Sequence, residues 1–269
     1  MTTPGRYLSF DPVAGDYDRT RVIPAAQMED IVRLLGREAK LELGGLFLDA
    51  GVGTGRFAAP LARLHPGQVI GADVSHAMMR QIAAKTAPGA LPLAQADLQR
   101  LPFRAGVFQG VLMVHILHLI ERWPLTLSEV RRVLVPKSGV LFLGIELGGR
   151  SVLVDFYFER ARARRVLAAS LGTSGLSPAL SFLRRRERNG GLGASVTLLE
   201  PQIAWKRTIP VALTLDALAR RTYSQMWDIP GSVHAALLEE TRSYARQTFR
   251  KADAAETLPS RFSLYAARW

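Results

Sequence analysis

Between residues 46 and 146, short apolar runs bounded by glycine alternate with segments whose apolar residues recur at helical spacing. Leu46 to Ala50 and Gln68 to Asp73 read as buried strands, and Leu91 to Ala96, Val107 to Val114 and Gly139 to Glu146 repeat the pattern. Gly55 to Leu64 puts Phe57, Leu61 and Leu64 on one helical face and stops before His65-Pro66-Gly67. A second helix follows Ser75, a residue able to cap it, through Met78, Met79, Ile82 and Ala83 and ends ahead of Pro88-Gly89. A third fits Arg122 to Leu134. This rhythm predicts a parallel sheet covered by helices on both faces, with right-handed crossovers.

Ahead of the sheet, Ala25 to Lys40 aligns Met28, Ile31, Val32, Leu35 and Ala39, which predicts a covering helix. Beyond Gly148 the alternation lapses. Val152 to Leu171, Pro178 to Arg188, Leu215 to Trp227 and Ser232 to Phe249 read as helices, whereas Ser195 to Leu199, Ile203 to Val211 and Phe262 to Trp269 read as extended. The expected organisation is residues 1–147 as N-terminal helices and a ligand-binding core, 148–193 as a helical cap, and 194–269 as the part completing the sheet and the substrate side.

The 269 residues, 48% apolar, suffice for one large core without covalent staples. The absence of cysteine excludes a thiol nucleophile, thiolate zinc sites and iron–sulfur clusters; no metal site is expected. Gly110 to Ile120, the longest apolar stretch, contains His115 and His118 and falls short of the ~20 residues of a membrane span. Residues Met1 to Leu8 lack the pattern of a secretory signal, so a soluble cytoplasmic protein is expected, as monomer or homodimer. Of the net charge of +12, 16 basic and 13 acidic residues lie up to Leu147 and 19 and 10 beyond it, so the basic surplus belongs to the second half.

Asp49-Ala-Gly51-Val-Gly53-Thr-Gly55-Arg-Phe57 lies where the first strand turns into a helix. Glycines there let the backbone turn sharply and approach a ligand, and the helix start offers free N–H groups. A dinucleotide fingerprint would place its third glycine where this chain has Arg56, and no Gly-Lys-Ser/Thr ending of a phosphate loop follows.

Residues Leu48 to Phe57 resemble the first motif of class I S-adenosylmethionine-dependent methyltransferases, and further similarities extend from about Phe10 to Glu146. Asp73, 24 positions after Asp49, matches the acidic residue that in this family bonds both ribose hydroxyls, a task suited to a carboxylate accepting two bonds. Asp97-Leu98 resembles the segment whose Asp accepts from the adenine amino group and whose next N–H meets the ring, and Tyr17 to Arg21 resembles a segment that closes over the cofactor. The resemblance implies a cofactor set of Tyr17, Arg21, Asp49, Gly51, Gly53, Gly55, Asp73, Val74, Met78, Asp97, Leu98 and Val114, with S-adenosylhomocysteine as product. It also implies a Rossmann-like three-layer α/β sandwich: a mostly parallel seven-stranded sheet with an antiparallel last strand, plus the helical cap. Gln109 and Pro136-Lys-Ser-Gly139 depart from the family pattern, which has Asp and Pro-Gly-Gly there.

Methyl transfer from a sulfonium is a direct displacement that needs alignment and a dry site. His118, just past the fourth strand, is the candidate general base because an imidazole titrates near neutrality, with His115, Glu146 and Tyr223 behind it. Cysteine-dependent cytosine methylation is excluded, and no Asn/Asp-Pro-Pro-Tyr motif of amino-group methylators is present. A small-molecule acceptor is the expected partner, probed against two alternatives: an RNA methyltransferase using Arg160, Arg162, Arg164, Arg165, Arg184, Arg185, Arg186 and Arg188 in the cap, and a cofactor-binding protein without catalysis. The C-terminal part resembles the ending of small-molecule methyltransferases of the type 11 group, with Arg221 to Pro230 as an apolar-aromatic segment able to line a pocket.

Overall fold

The structure, a computed structural model, describes residues 10–11, 14–15, 17–167, 175–251 and 253–269. Two compact units form: residues 1–145, 171–203 and 262–269 make the first, and 146–170 with 204–261 the second.

In the first unit the expected alternation is present. α1 (Ala25–Glu38) precedes β1 (Leu46–Ala50), α2 (Ala58–Leu64), β2 (Val69–Asp73), α3 (His76–Arg80), β3 (Leu93–Gln95), β4 (Phe108–Val114), α4 (Trp123–Val133) and β5 (Val140–Gly148). β1 pairs in parallel with β2 and β4, β2 with β3, and β4 with β5. The apolar runs are strands because both their faces are covered. On one side Leu48, Val111 and Leu141 join a core with Leu127 and Val130 of α4, and elsewhere Phe47 stacks on Phe142 at 6.0 Å. Each such fully buried large side chain contributes ~1.5–3 kcal/mol relative to exposure.

Two local differences from expectation have clear causes. α2 begins at Ala58 and not at Gly55, because Gly51, Gly53 and Gly55 all take left-handed φ (86°, 51° and 73°), which no helix continues. α3 stops at Arg80 and tightens into a 3₁₀ turn over Gln81–Ala84. Ser75 caps α3 as expected, its Oγ accepting from the Met78 N–H at 3.0 Å.

The sheet runs β3-β2-β1-β4-β5-β8-β6, with β7 added beside β8, so the described residues give eight strands where seven were expected. β6 (Ser195–Leu198) pairs antiparallel with β8 (Ala255–Arg268), and the extra strand is β7 (Ile203–Pro210). β8 starts seven residues ahead of the expected Phe262.

The division into units also differs from the expected cap at 148–193. α6 (Ser177–Arg184) belongs to the first unit, where Ala179, Leu180 and Leu183 join the core with α4. The second unit instead gathers α5 (Val152–Ala163), α7 (Val211–Ala219) and α8 (Gly231–Thr248), because Tyr157 and Phe158 bury against Leu218, Met226, Leu237 and Leu238. α5 ends at Ala163, and the expected continuation at 168–171 lies outside the described residues. α7 starts directly after Pro210 and ends before Arg221, whose φ of 51° is left-handed, so residues 220–227 are not the expected helix. Among the described residues no helix is long and apolar enough to cross a membrane.

The two departures from the family pattern lie at the opening of β4 and β5. Gln109 fills the space a Cβ on Gly45 would need and accepts from Ser138 Oγ at 3.2 Å, and Lys137 takes a left-handed φ of 64°.

Candidate active site

At the C-terminal ends of β1 and β2 the backbone folds around two acidic side chains. The N–H groups of Gly51 and Val52 bond to the Ala72 carbonyl (2.8 and 3.0 Å), which draws the glycine turn across the end of β2. Asp73 then accepts from Gly53 N–H at Oδ2 and from Ser75 N–H at Oδ1, both at 2.8 Å. Each oxygen retains a further lone pair. Burial raises the Asp73 pKa against the N–H bonds from Ser75, Gly53 and Val74 that hold it down.

Asp49, at 3% exposure, lies beneath the same turn. Burial, and then the nearby Asp73 carboxylate, push its pKa up to about 7, while the Ala58 N–H at the start of α2 and the Arg56 guanidinium act the other way. Two buried carboxylates in mutual repulsion form a site that a cation would stabilise.

The glycines are required by space as well as by φ. A Cβ on Gly51 would lie 2.9 Å from Ile116 Cγ1, one on Gly53 3.3 Å from Met78 Cε, and one on Gly55 2.9 Å from Ile82 Cγ1. Met78 is therefore packed against the turn, while Val74 beside Asp73 is 41% exposed. Past β3, Asp97 accepts from Gln99 N–H at 2.7 Å in a turn of its own, and the Leu98 side chain enters the core, which leaves only its backbone for a ligand. Val114, half-buried, ends β4.

The N-terminal segment is clasped to the glycine turn. Thr54 Oγ1 donates to Asp18 Oδ1 at 2.6 Å, Lys85 pairs with Asp18 and donates to the Thr54 carbonyl at 2.6 Å, and Ser75 Oγ donates to Asp11. Arg56 Nη1 donates to the Arg21 carbonyl at 2.8 Å. Tyr17 packs edge-on to Phe10 at 5.5 Å, and the Arg21 guanidinium lies 4.5 Å above the Tyr17 ring. Asp11, Asp18, Thr54 and Lys85 were not singled out by sequence; the polar Thr inside the glycine motif is the one signal for them.

Beyond β4 a recess is lined by Met113, His115, Ile116, Leu117, His118, Leu143, Gly144, Ile145, Gly175 and Leu176. It adjoins the glycine turn through Ile116. His115 has a left-handed φ of 50°, an uncommon backbone for a residue with a Cβ. Burial drives the His118 pKa down to about 4, helped by the Arg21 guanidinium. It drives His115 down to about 3, helped by Arg56, Arg21 and His118. His118 is thereby held below the range in which a free imidazole titrates.

Glu146 and Tyr223 belong to the second unit. There Tyr223 packs at 5.8 Å edge-on to Phe158 as part of the apolar cluster. The arginines read together as a basic surface divide as well. Arg160 and Arg164 both pair with Glu240 in the second unit, whereas exposed Arg184, Arg185, Arg186 and Arg188 lie in the first, where Arg131 pairs with Glu187.

Residues 48–143, from β1 to β5, match the methyltransferase domain family. A malonyl-acyl-carrier-protein O-methyltransferase of Legionella pneumophila is 32% identical over 137 residues, 50% of this chain and 47% of that protein. A demethylmenaquinone methyltransferase of Symbiobacterium thermophilum is 34% identical over 134 residues, 47% and 53% of the two chains. The chain thus spans about half the length of these curated relatives. Among solved structures, a protein of Anaeromyxobacter dehalogenans assigned as a type II methyltransferase superposes with a TM-score of 0.62 at 18% identity, covering 99% of this chain and 98% of its own. The cyclase SpnF shares the fold as well, with a TM-score of 0.52 at 17% identity over 99% and 88% of the chains.

Residues 48–143 thus match the methyltransferase domain family, are similar to class I S-adenosylmethionine-dependent methyltransferases, and lie in a Rossmann-like α/β fold.

Proposed function

We propose that the protein binds S-adenosylmethionine at the ends of β1, β2 and β4 and transfers its methyl group to a small-molecule acceptor lodged in the histidine-lined recess. The observation that carries this reading is Asp73, a buried carboxylate whose oxygens accept from the Gly53 and Ser75 N–H groups and keep capacity for ribose hydroxyls. The glycine turn supplies the space, and the buried Asp49 and Asp73 favour a cationic ligand over a neutral or anionic one. Bound there, the cofactor supplies an electrophilic methyl on sulfur.

The chain's own residues do the rest. Asp73 orients the ribose, Asp97 and the Leu98 backbone read the adenine edge, and Val74, Met78 and Val114 enclose it. The segment from Tyr17 to Arg21, held by the Asp18–Thr54–Lys85 clasp, keeps water from the turn. Relatives named for a malonyl-acyl-carrier protein and for demethylmenaquinone support a small acceptor for this site. Pairing of Arg160 and Arg164 with Glu240 leaves less free positive charge for an RNA backbone.

Titration calorimetry of the purified chain with S-adenosylmethionine and S-adenosylhomocysteine tests the reading. Micromolar binding of both is expected, unchanged by bulk RNA at low or high salt; absence of binding would remove the proposal.

A further inference from the structure

Where the last residues of β5 meet β7 and β8, the second unit holds an open pocket of about 610 Å³ that the methyl-transfer reading does not use. Leu147, Ala204 and Pro259 give it apolar walls, Lys206 and Arg261 line it from exposed positions, and none of its lining residues is acidic. Among the described residues neither cation has a carboxylate partner. The pocket also contains two donors without acceptors. Trp205 and Ser260 line it at 8% and 4% exposure, and Trp205 Nε1 and Ser260 Oγ are buried with no hydrogen-bond partner. The deficit is local, since on the same two strands the hydroxyls of Thr208 and Thr257 meet at 3.0 Å. An indole N–H can only donate, and a donor buried without an acceptor forfeits its hydration with nothing in return.

We propose that this pocket binds a phosphomonoester with an apolar body. The charges fit: such a head carries about 1.5 to 2 negative charges at pH 7, which Lys206 and Arg261 match. Its three terminal oxygens can accept from both cations and from the two buried donors together. A carboxylate brings one charge and two oxygens, and a neutral head leaves the cations with nothing to pair. The apolar walls cover the first carbons of the body. Trp205 Nε1 and Ser260 Oγ are closed to water, so binding includes an opening of the floor in which Ser260 turns to another staggered rotamer. The same closure strengthens the new bonds once they form. A Cβ on Gly148 would lie 3.0 Å from Ser260 Oγ, so glycine there keeps the approach to that hydroxyl open.

The test uses the whole protein with hexyl phosphate, hexanoate and hexanol as probes. By calorimetry hexyl phosphate is expected to bind at least tenfold more tightly than hexanoate, with no measurable heat from hexanol. Of the four indole N–H signals in a two-dimensional NMR spectrum, the one assigned by Trp205→Phe is expected to move downfield at saturation. Lys206→Gln and Arg261→Gln should each weaken hexyl phosphate at least fivefold. Ser260→Ala should weaken it at least threefold while leaving the melting temperature unchanged or raised, because the hydroxyl it removes has no partner in the free protein. Equal binding of the three probes, binding of none, a stationary Trp205 signal, or unchanged affinity in all three variants overturns the proposal. Phosphatidylcholine vesicles with and without phosphatidic acid distinguish the sources of the ester. Sedimentation with phosphatidic acid alone, lost in Arg261→Gln, assigns the pocket to a lipid headgroup; hexyl phosphate binding without such sedimentation assigns it to a soluble ester. None of these readouts depends on cofactor binding, so the proposal and the methyl-transfer reading stand or fall separately.

Discussion

The glycine turn of the first unit and the helical core of the second both bury ionisable side chains, but with opposite bookkeeping. In the second unit, some buried polar groups meet one another, while His234 Nε2, Trp205 Nε1 and Ser260 Oγ are buried without a hydrogen-bond partner among the described residues. Tyr157 Oη lies 2.7 Å from His234 Nδ1, and Glu256 accepts from Ser151 Oγ and, at 2.9 Å, from Val152 N–H at the start of α5. At the glycine turn, two carboxylates are buried close enough to repel, and their compensation comes from backbone N–H groups and the Arg56 guanidinium. Mutual satisfaction marks groups that hold a fold; like charges buried together mark groups that await a ligand.

The sharpest way to break this contrast is to fill the turn. Gly51→Val sets a branched side chain against Ile116 at a φ of 86°, and is expected to weaken S-adenosylhomocysteine binding by more than 100-fold, about 3 kcal/mol, read by calorimetry. Asp73→Ala comes next. Loss of its charge-assisted bonds is expected to weaken cofactor binding by ~1.5–3 kcal/mol with the circular dichroism spectrum retained.

A pH series separates the two kinds of site further. Asp49 has a folded pKa of about 7, above its unfolded value, so its contribution is fully present below the unfolded value and is lost as pH rises through about 7. Chemical denaturation should show Asp49→Asn gaining on the wild type from pH 4 to pH 7, by on the order of 1–3 kcal/mol. His115 and His118, with folded values of about 3 and 4, act in the opposite sense: their contribution is present above about 6.5 and is lost as pH falls toward 4. His118→Gln should therefore flatten the acid limb of the stability profile.

Smaller effects test the other side of the comparison. Tyr157→Phe should lower stability by ~0.5–1.5 kcal/mol through loss of the bond to His234, yet leave cofactor affinity within error. Replacing the exposed Arg184, Arg185 and Arg186 together by Ala should change cofactor affinity less than threefold, the smallest shift of the series. A large loss in either variant would show that the turn depends on parts of the molecule placed outside it.

The legible parts of the chain were those where local pattern and tertiary role coincide. β1, β2, β4 and β5 bury both faces, so their apolar runs announce them, and the left-handed glycines announce the turn. Beyond Gly148, elements find partners far along the chain. Ser151 and Glu256 are 105 positions apart, and α5 packs on α8. Helical spacing told that α5 and α8 exist without telling that they share a core, or that the apolar face of α6 packs with α4. β7 was legible as the extended run from Ile203 to Val211, whereas the early start of β8 was hidden by its composition, since Pro259 and Arg261 interrupt the apolar pattern ahead of Phe262.

By itself the sequence determined the strand–helix rhythm, the glycine turn after β1 and the acidic residue at the end of β2, because φ preference, residue size and hydrophobic period are local properties. Only the tertiary structure decided the protonation of the site. Burial lifts Asp49 and depresses His115 and His118, and the clasp of Asp18 on Thr54 and Lys85 joins segments 36 and 67 positions apart. Desolvation and charge proximity depend on what surrounds a group in space, and that is decided by the packing of distant segments.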